Sequence, residues 1–195
     1  MAIIRLATAV DAAPIQYIYR PAIEDAAISF ETKVPSVEEI AQRVTATEFL
    51  TPWLVYEDAH EVLGYAYASR HRERAAYQWA VEVSAYVDPR AHRRGIGRAL
   101  YTTLFRILAL QGFHRAYAGI TLPNPASVGL HTSVGFTPVG VYRAIGFKHG
   151  AWHDVAWYER DLQPAGVAPS DAPTPLSALV GTAELTAALD PTLSA

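Results

Sequence analysis

Apolar and polar residues recur along this chain with two periods, and the switches between them outline a succession of short strands and helices. Residues 2–7 read as a strand. Thr8-Ala-Val-Asp11 has the form of a capping box with an acid at its third position and opens a helix to about Asp25. A break or kink is expected at Pro21, whose ring removes a backbone donor. Ser36-Val-Glu-Glu39 is a fuller capping box and starts a second helix to about Thr47. Residues 53–57 and 62–70 are β-rich and flank a turn at Asp58-Ala-His-Glu61, and a third run covers 77–87 until Asp88-Pro89 ends it. From 95 to 111, Ile96, Leu100, Thr103, Leu104, Ile107 and Leu108 repeat at helical spacing, and Gly112 supplies a left-handed stop. Residues 114–122 form a strand. Asn124-Pro125 then pairs an N-cap with a proline at the first helical position, opening a short helix to about Val134. Residues 135–143 and 152–161 are the last strands, with residues 148–154 as a loop before the final one. The order βααβββαβαββ predicts an α/β domain over 1–162, with a mixed sheet of about seven strands flanked by about four helices. Beyond it, residues 163–195 hold five prolines and no lysine or arginine, which reads as a linker-like tail with a helical turn or two at 183–189.

Composition narrows the class. The 195 residues are 51% hydrophobic and 18% charged, enough apolar material for one core and too much for a disordered chain. A net charge of −3 provides no basic face, so no nucleic-acid partner is expected. The absence of cysteine removes disulfides, thiolate metal sites and a cysteine nucleophile together. No charged n-region precedes an apolar run at the N-terminus, and charge interrupts every apolar stretch before membrane-spanning length. The reading is a soluble, cytoplasmic protein with no membrane partner.

The most informative segment runs from Tyr86-Val87 through Asp-Pro-Arg-Ala to His92-Arg93-Arg94-Gly95-Ile96-Gly97-Arg98. A strand ends, a basic and glycine-rich turn follows, and a helix begins. Such a turn aims backbone N–H groups and the positive end of a helix dipole at one place, which suits a pyrophosphate. Gly95 and Gly97 allow the close approach that a side chain would block. The spacing is neither that of a Walker loop nor that of a dinucleotide fingerprint, and a basic helix N-cap with two turn glycines would look the same.

His92-Arg-Arg-Gly-Ile-Gly97 resembles the pyrophosphate loop of the GNAT superfamily of N-acetyltransferases, with His92 where glutamine or arginine is usual. Asn124-Pro-Ala-Ser127, Leu130-His131 and Gly135-Phe136 look like that superfamily's second CoA-side motif. Arg143-Ala-Ile-Gly-Phe-Lys-His-Gly-Ala-Trp-His-Asp154 is similar to a run in the phosphinothricin and methionine sulfoximine acetyltransferases. With Trp53-Leu-Val, Gly64-Tyr-Ala-Tyr-Ala68 and Tyr77-Gln-Trp79, the resemblance spans about residues 3–162. It implies the GNAT fold, in which strands 4 and 5 splay apart around acetyl-CoA and the acceptor enters from the other side. It also implies acetyl transfer to the amine of a small amino-acid-like acceptor, and a homodimer. Tyr86, Val87, His92, Arg93, Arg94, Gly95, Ile96, Gly97 and Arg98, with Asn124 and Ser127, would hold acetyl-CoA.

With no cysteine, acetyl passes directly to the acceptor or through another nucleophile. The chemistry needs a group to deprotonate the ammonium, donors for the oxyanion and a proton for the leaving thiolate. Glu82 is an acid inside the apolar run Trp79-Ala-Val-Glu-Val-Ser-Ala-Tyr86; it can be a buried base or a strand glutamate facing solvent or a cation. His131 stands where many GNAT enzymes carry a tyrosine acid; it can move a proton or be structural. The resemblance favours the catalytic role for both, acting as a coupled pair with the acid and base roles undivided. Arg70, Arg72 and Arg74 cluster near Tyr77, and arginine forks suit a carboxylate or phosphinate. The resemblance implies that Arg72, Arg74 and Tyr77 bind the acceptor beside Phe30, an aromatic wall; a solvated hairpin tip is the competing picture. His149, His153 and Asp154 are close in sequence, but acyl transfer from CoA needs no metal, and that loop is expected to be a lid or dimer contact. The alternatives are a GNAT enzyme for another amine, such as a protein N-terminus or a polyamine, and an acyl-CoA-binding module without catalysis. A cationic acceptor calls for an acidic pocket rather than arginines.

Overall fold

A computed structural model describes residues 2–47, 50–164 and 166–190. The chain runs β1 (Ile3–Leu6), a short 3-10 turn (Ala9–Asp11), α1 (Ala12–Glu24), α2 (Val37–Thr47), β2 (Trp53–Asp58), β3 (Glu61–Arg70), β4 (Ala80–Val87), α3 (Ile96–Leu110), β5 (Arg115–Thr121), α4 (Pro125–Ser133), β6 (Thr137–Lys148), β7 (Ala151–Asp161), α5 (Leu176–Leu179) and α6 (Ala183–Leu189). Both capping boxes form. Asp11 accepts from the Thr8 amide at 2.8 Å, and Arg5 clamps the same carboxylate at 2.7 and 2.8 Å. Ser36 and Glu39 exchange side-chain-to-amide bonds of 2.6 and 3.2 Å.

The strands make one seven-stranded sheet in the order β1-β2-β3-β4-β5-β7-β6. Every pairing is antiparallel except β4 with β5. That parallel ladder holds only Ala80 to Arg115, Val81 to Ala116 and Glu82 to Tyr117. Beyond it the strands part, leaving residues 83–87 and 118–121 on the sides of an open V, as the GNAT resemblance implies. Strand alternation sorts the side chains. Val81, Val83, Ala116 and Ala118 face α3 and its core of Leu100, Tyr101, Leu104 and Leu108. The opposite face carries α1 and α2 over Trp53, Val55 and Tyr65. There Trp53 and Tyr67 stack at 4.2 Å, Tyr65 and Tyr86 at 5.3 Å, and Tyr19 meets Tyr86 edge-on at 4.9 Å.

Three local expectations change. α1 passes through Pro21 as one helix, with the Asp25 amide bonded to the Pro21 carbonyl at 3.1 Å. Ile15, Ile18, Tyr19, Ala22 and Ile23 are all buried on its inner face, which offsets the about 3 kcal/mol that an interior proline costs. Residues 75–77 form a 3-10 turn, closed by bonds from the Tyr77 and Gln78 amides to the carbonyls of Arg74 and Ala75, so β4 starts at Ala80 rather than at 77. The segment expected as a loop before the last strand is the tip of the β6–β7 hairpin. His149 and Gly150 turn it with φ of 50° and 77°, the conformation that two-residue hairpins favour. Asp154 accepts from the Ala144 amide at 2.7 Å within an irregular stretch of β6.

The tail also departs from a linker. Leu176, Leu185 and Ala188 are buried in the same core as Ile4, Leu54, Leu104 and Leu108. Gln111, at the end of α3, donates to the Leu50 and Thr174 carbonyls at 2.6 and 2.9 Å, and the Thr174 amide returns a bond of 2.7 Å. Trp79 donates to the Asp171 carbonyl at 2.8 Å. α5 and α6 thus extend the layer begun by α3, because the apolar residues that low-complexity composition disguised are spaced to meet it. Pro191 lies outside the described residues.

Candidate active site

β4 delivers both sides of the site. At its C-terminal end Asp88 is buried, accepts from the Arg90 amide at 2.8 Å and pairs with the Arg90 guanidinium at 2.6 Å. That guanidinium holds the Asp88 carboxyl below the usual carboxylate range and reaches Glu61 at 2.6 Å, so the turn after β4 is tied to β3. His92 Nε2 donates to the Val87 carbonyl at 3.0 Å, closing the loop on the strand end. Arg93 and Gly95 are left-handed, at φ 60° and 80°, and Gly95 caps α3. Arg94 leans on Asp58 at 3.3 Å, and Arg98 is exposed on the first turn of α3. The first amides of a helix have no partner within it, so this loop presents N–H donors beside the mouth of the V. Gly97 packs α3 on α4: a Cβ there would sit 3.0 Å from Leu130 Cδ2. Asn124 Oδ1 accepts from the Ser127 amide at 3.0 Å and fixes the start of α4.

Toward the N-terminal end of β4, Glu82 lies on the face opposite α3, its side chain about one third exposed. Its Oε1 accepts from His71 Nδ1 at 3.0 Å and from Arg72 Nη1 at 3.1 Å. The His71 ring stacks on Tyr117 of β5 at 4.6 Å and meets Tyr77 and Trp157 of β7 edge-on at 6.2 and 6.0 Å. A carboxylate therefore stands where the β4–β5 ladder ends, within an aromatic enclosure and next to a cationic fork.

A family model described as an acetyltransferase (GNAT) domain matches residues 4–157. The phosphinothricin N-acetyltransferase of Streptomyces viridochromogenes is 41% identical over 82% of this chain and 87% of its own length. The L-methionine sulfoximine/L-methionine sulfone acetyltransferase of Salmonella typhimurium is 32% identical over 82% of this chain and 94% of its own. Among solved structures, a phosphinothricin acetyltransferase from Sinorhizobium meliloti in complex with acetyl-CoA superposes with a TM-score of 0.82 at 36% identity, covering 90% of this chain and 97% of that one. The chain belongs to the GNAT acetyltransferase family.

Within this GNAT enzyme the expected site residues divide into groups. Tyr86 and Val87 end β4 on one side of the V, the loop 92–98 follows them into α3, and Asn124 and Ser127 lie at the start of α4. Glu82, Arg72 and Tyr77 gather around His71, whereas the Arg74 side chain stands exposed at the turn after β3. Phe30 sits between α1 and α2 with its ring against Gly146 of β6, where a Cβ would collide with it. The same segment is anchored by Lys148, which is buried and donates to the Ser29 carbonyl at 2.6 Å. Burial holds the Lys148 ammonium below the usual lysine range.

His131 does not join Glu82. It is buried on the α3 side of the sheet, edge-on to Phe136 at 5.1 Å. Its Nδ1 donates to the Ser127 carbonyl at 2.8 Å, which leaves Nε2 to accept from the Tyr101 hydroxyl at 2.9 Å. Burial pushes the imidazole pKa down and the Tyr101 phenol pKa up, so both are neutral near pH 7. The two do not pair: strand alternation turns Glu82 away from α3, while α4 packs His131 against Tyr101 of α3. His71, Tyr117 and Trp157 went unnoticed in the sequence. Tyr117 was within reach, as the bulky residue between the two small ones, Ala116 and Ala118, that face α3.

Proposed function

We propose that this enzyme moves acetyl from acetyl-CoA to the amine of a small amino-acid acceptor of the phosphinothricin or methionine sulfoximine type. The observation that carries this reading is the Glu82 carboxylate at the point where β4 and β5 part, with Arg72 at its side and aromatic rings around it. Acetyl-CoA would lie in the V, its pyrophosphate at the loop 92–98 and its pantetheine arm along residues 83–87, with Asn124 and Ser127 from α4 on the far wall. The acceptor carboxylate would draw on Arg72 and Arg74, with Tyr77 and Phe30 as walls. Its ammonium gives a proton to Glu82, and the free amine attacks the thioester carbon. A backbone N–H on the open edge of β4 steadies the oxyanion until the C–S bond breaks, and the CoA thiolate takes up the amine's second proton. His131, neutral and bonded at both nitrogens, holds Tyr101 and α4 on the cofactor side instead of carrying protons.

The same reading pairs two copies through the β6–β7 hairpin and places the enzyme in the cytoplasm, free of nucleic acid and membrane. β6 is an edge strand, and Val139, Val141, Tyr142, Ile145, Phe147 and Trp152 are all exposed on the hairpin. A bare apolar edge of that kind invites a second strand. The deciding experiment is thiol release from acetyl-CoA with phosphinothricin, methionine sulfoximine, methionine sulfone, spermidine and a peptide amine. Turnover confined to the amino-acid analogues, and lost in Glu82→Gln, supports the proposal. Turnover of spermidine or the peptide alone refutes the acceptor class, and acetyl-CoA binding with no turnover refutes catalysis.

A further inference from the structure

Both partners of Glu82 fall on the same oxygen. His71 Nδ1 and Arg72 Nη1 reach Oε1 at 3.0 and 3.1 Å, and Oε2 has no hydrogen bond to any described residue. The two partners differ in how firmly they are held. Arg72 is about half exposed, and the same nitrogen also donates to the His71 carbonyl at 2.7 Å. His71 is 14% exposed and fixed by its stack on Tyr117 and by the edges of Tyr77 and Trp157. An acceptor that recruits Arg72 for its carboxylate leaves His71 as the group that still orients the base.

We infer that His71 is the positioning residue of the acyl-transfer base, tying down Glu82 Oε1 so that Oε2 faces the acceptor ammonium. This rests on the reading of Glu82 as the base. The ring donates Nδ1–H to Oε1, and Oε2 is left to accept the ammonium proton. The groups facing the ring are Glu82 from β4, Tyr117 from β5, Trp157 from β7, and Arg72 and Tyr77 from the turn after β3. Behind Tyr117, Glu159 of β7 is paired with Arg115 at 2.9 Å.

Asparagine tests position without the ring, since its amide N–H can stand in for Nδ1–H. The test measures kcat and KM for the wild type, His71→Ala, His71→Asn and Glu82→Gln, with melting temperatures to confirm folding. His71→Ala is expected to lose kcat by about ten- to a hundredfold, as a misplaced catalytic group does, with the KM for acetyl-CoA within about twofold. His71→Asn should recover most of that loss. Wild-type kcat in His71→Ala, a loss that falls on the KM for acetyl-CoA instead of kcat, or no recovery in His71→Asn would each overturn the inference. Full activity in Glu82→Gln would instead remove the base reading itself. Loss in Glu82→Gln with normal His71 variants removes only the role of His71.

Discussion

Leu185 tests whether the tail is part of the folded domain. It is 4% exposed, on the inner side of α6, in a core shared with Leu104 and Leu108 of α3. Truncation to alanine removes the transfer free energy of the lost carbons and leaves a cavity that α6 can only partly collapse, a loss of about 3 kcal/mol. For a chain of this size that corresponds to a fall of about 6–12 °C in melting temperature. The loss has a ceiling. Once docking of the tail is weaker than the perturbation, α6 detaches, and further substitutions cost nothing more. Deletion from Gln163 onward measures that ceiling, and Leu176→Ala combined with Leu185→Ala should approach it without exceeding it. The assay is thermal unfolding followed by circular dichroism, with limited proteolysis to report cleavage within 164–190. Glu184→Ala, exposed on the same helix, is the control. A Leu185→Ala protein that melts within about 1 °C of wild type would refute a docked tail, because no well-packed leucine is that cheap to lose.

Other predictions concern the site. Gly95→Val forces a β-branched residue to φ +80°, a strain of about 1–2 kcal/mol, and should raise the KM for acetyl-CoA several-fold while the KM for the acceptor stays level in steady-state kinetics. Gly146→Ala drives a Cβ into the Phe30 ring and must displace it; the acceptor KM should change by about tenfold and that of acetyl-CoA should not, and equal change in both would count against Phe30 as an acceptor wall. His131 is neutral in the fold, its pKa lowered by burial, so its contribution to stability is complete above the ordinary histidine value of about 6.5 and is lost as pH falls from there through the folded value. Melting temperature should accordingly drop more steeply with acid in the wild type than in His131→Gln, and parallel curves would refute the assignment.

The fold was legible in the sequence because its signals are local. Capping boxes at Thr8 and Ser36, the period of α3 and the Asn124-Pro125 start of α4 each specify an element without reference to the rest. What escaped depends on partners distant in the chain. Pro21 reads as a break until the burial of Ile18 and Ile23 is known, and the tail reads as a linker until α3 supplies a surface for Leu176 and Leu185. The site divides in the same way. The loop 92–98 carries its own pattern, and Glu82 is conspicuous as an acid among apolar neighbours. His71 announces nothing, since it follows the end of β3 and reaches Glu82 only because β3 pairs with β4. His131 is the converse, a residue whose motif suggested chemistry and whose two nitrogens are bonded to Ser127 and Tyr101 inside the fold.

The three residue pairs that join β4 to β5 also bear on how the enzyme moves. A long ladder resists shear along its whole length, whereas three pairs at one end leave the strands β1–β4 and β5–β7 joined as at the hinge of a book. Acetyl-CoA seated in the V as proposed would act as a wedge, and its own amides could take the place of the missing rungs. Loading with acetyl-CoA should then change the stiffness of the sheet more than its shape. Amide exchange along residues 83–87 and 118–121 should slow, while the radius of gyration in solution stays constant.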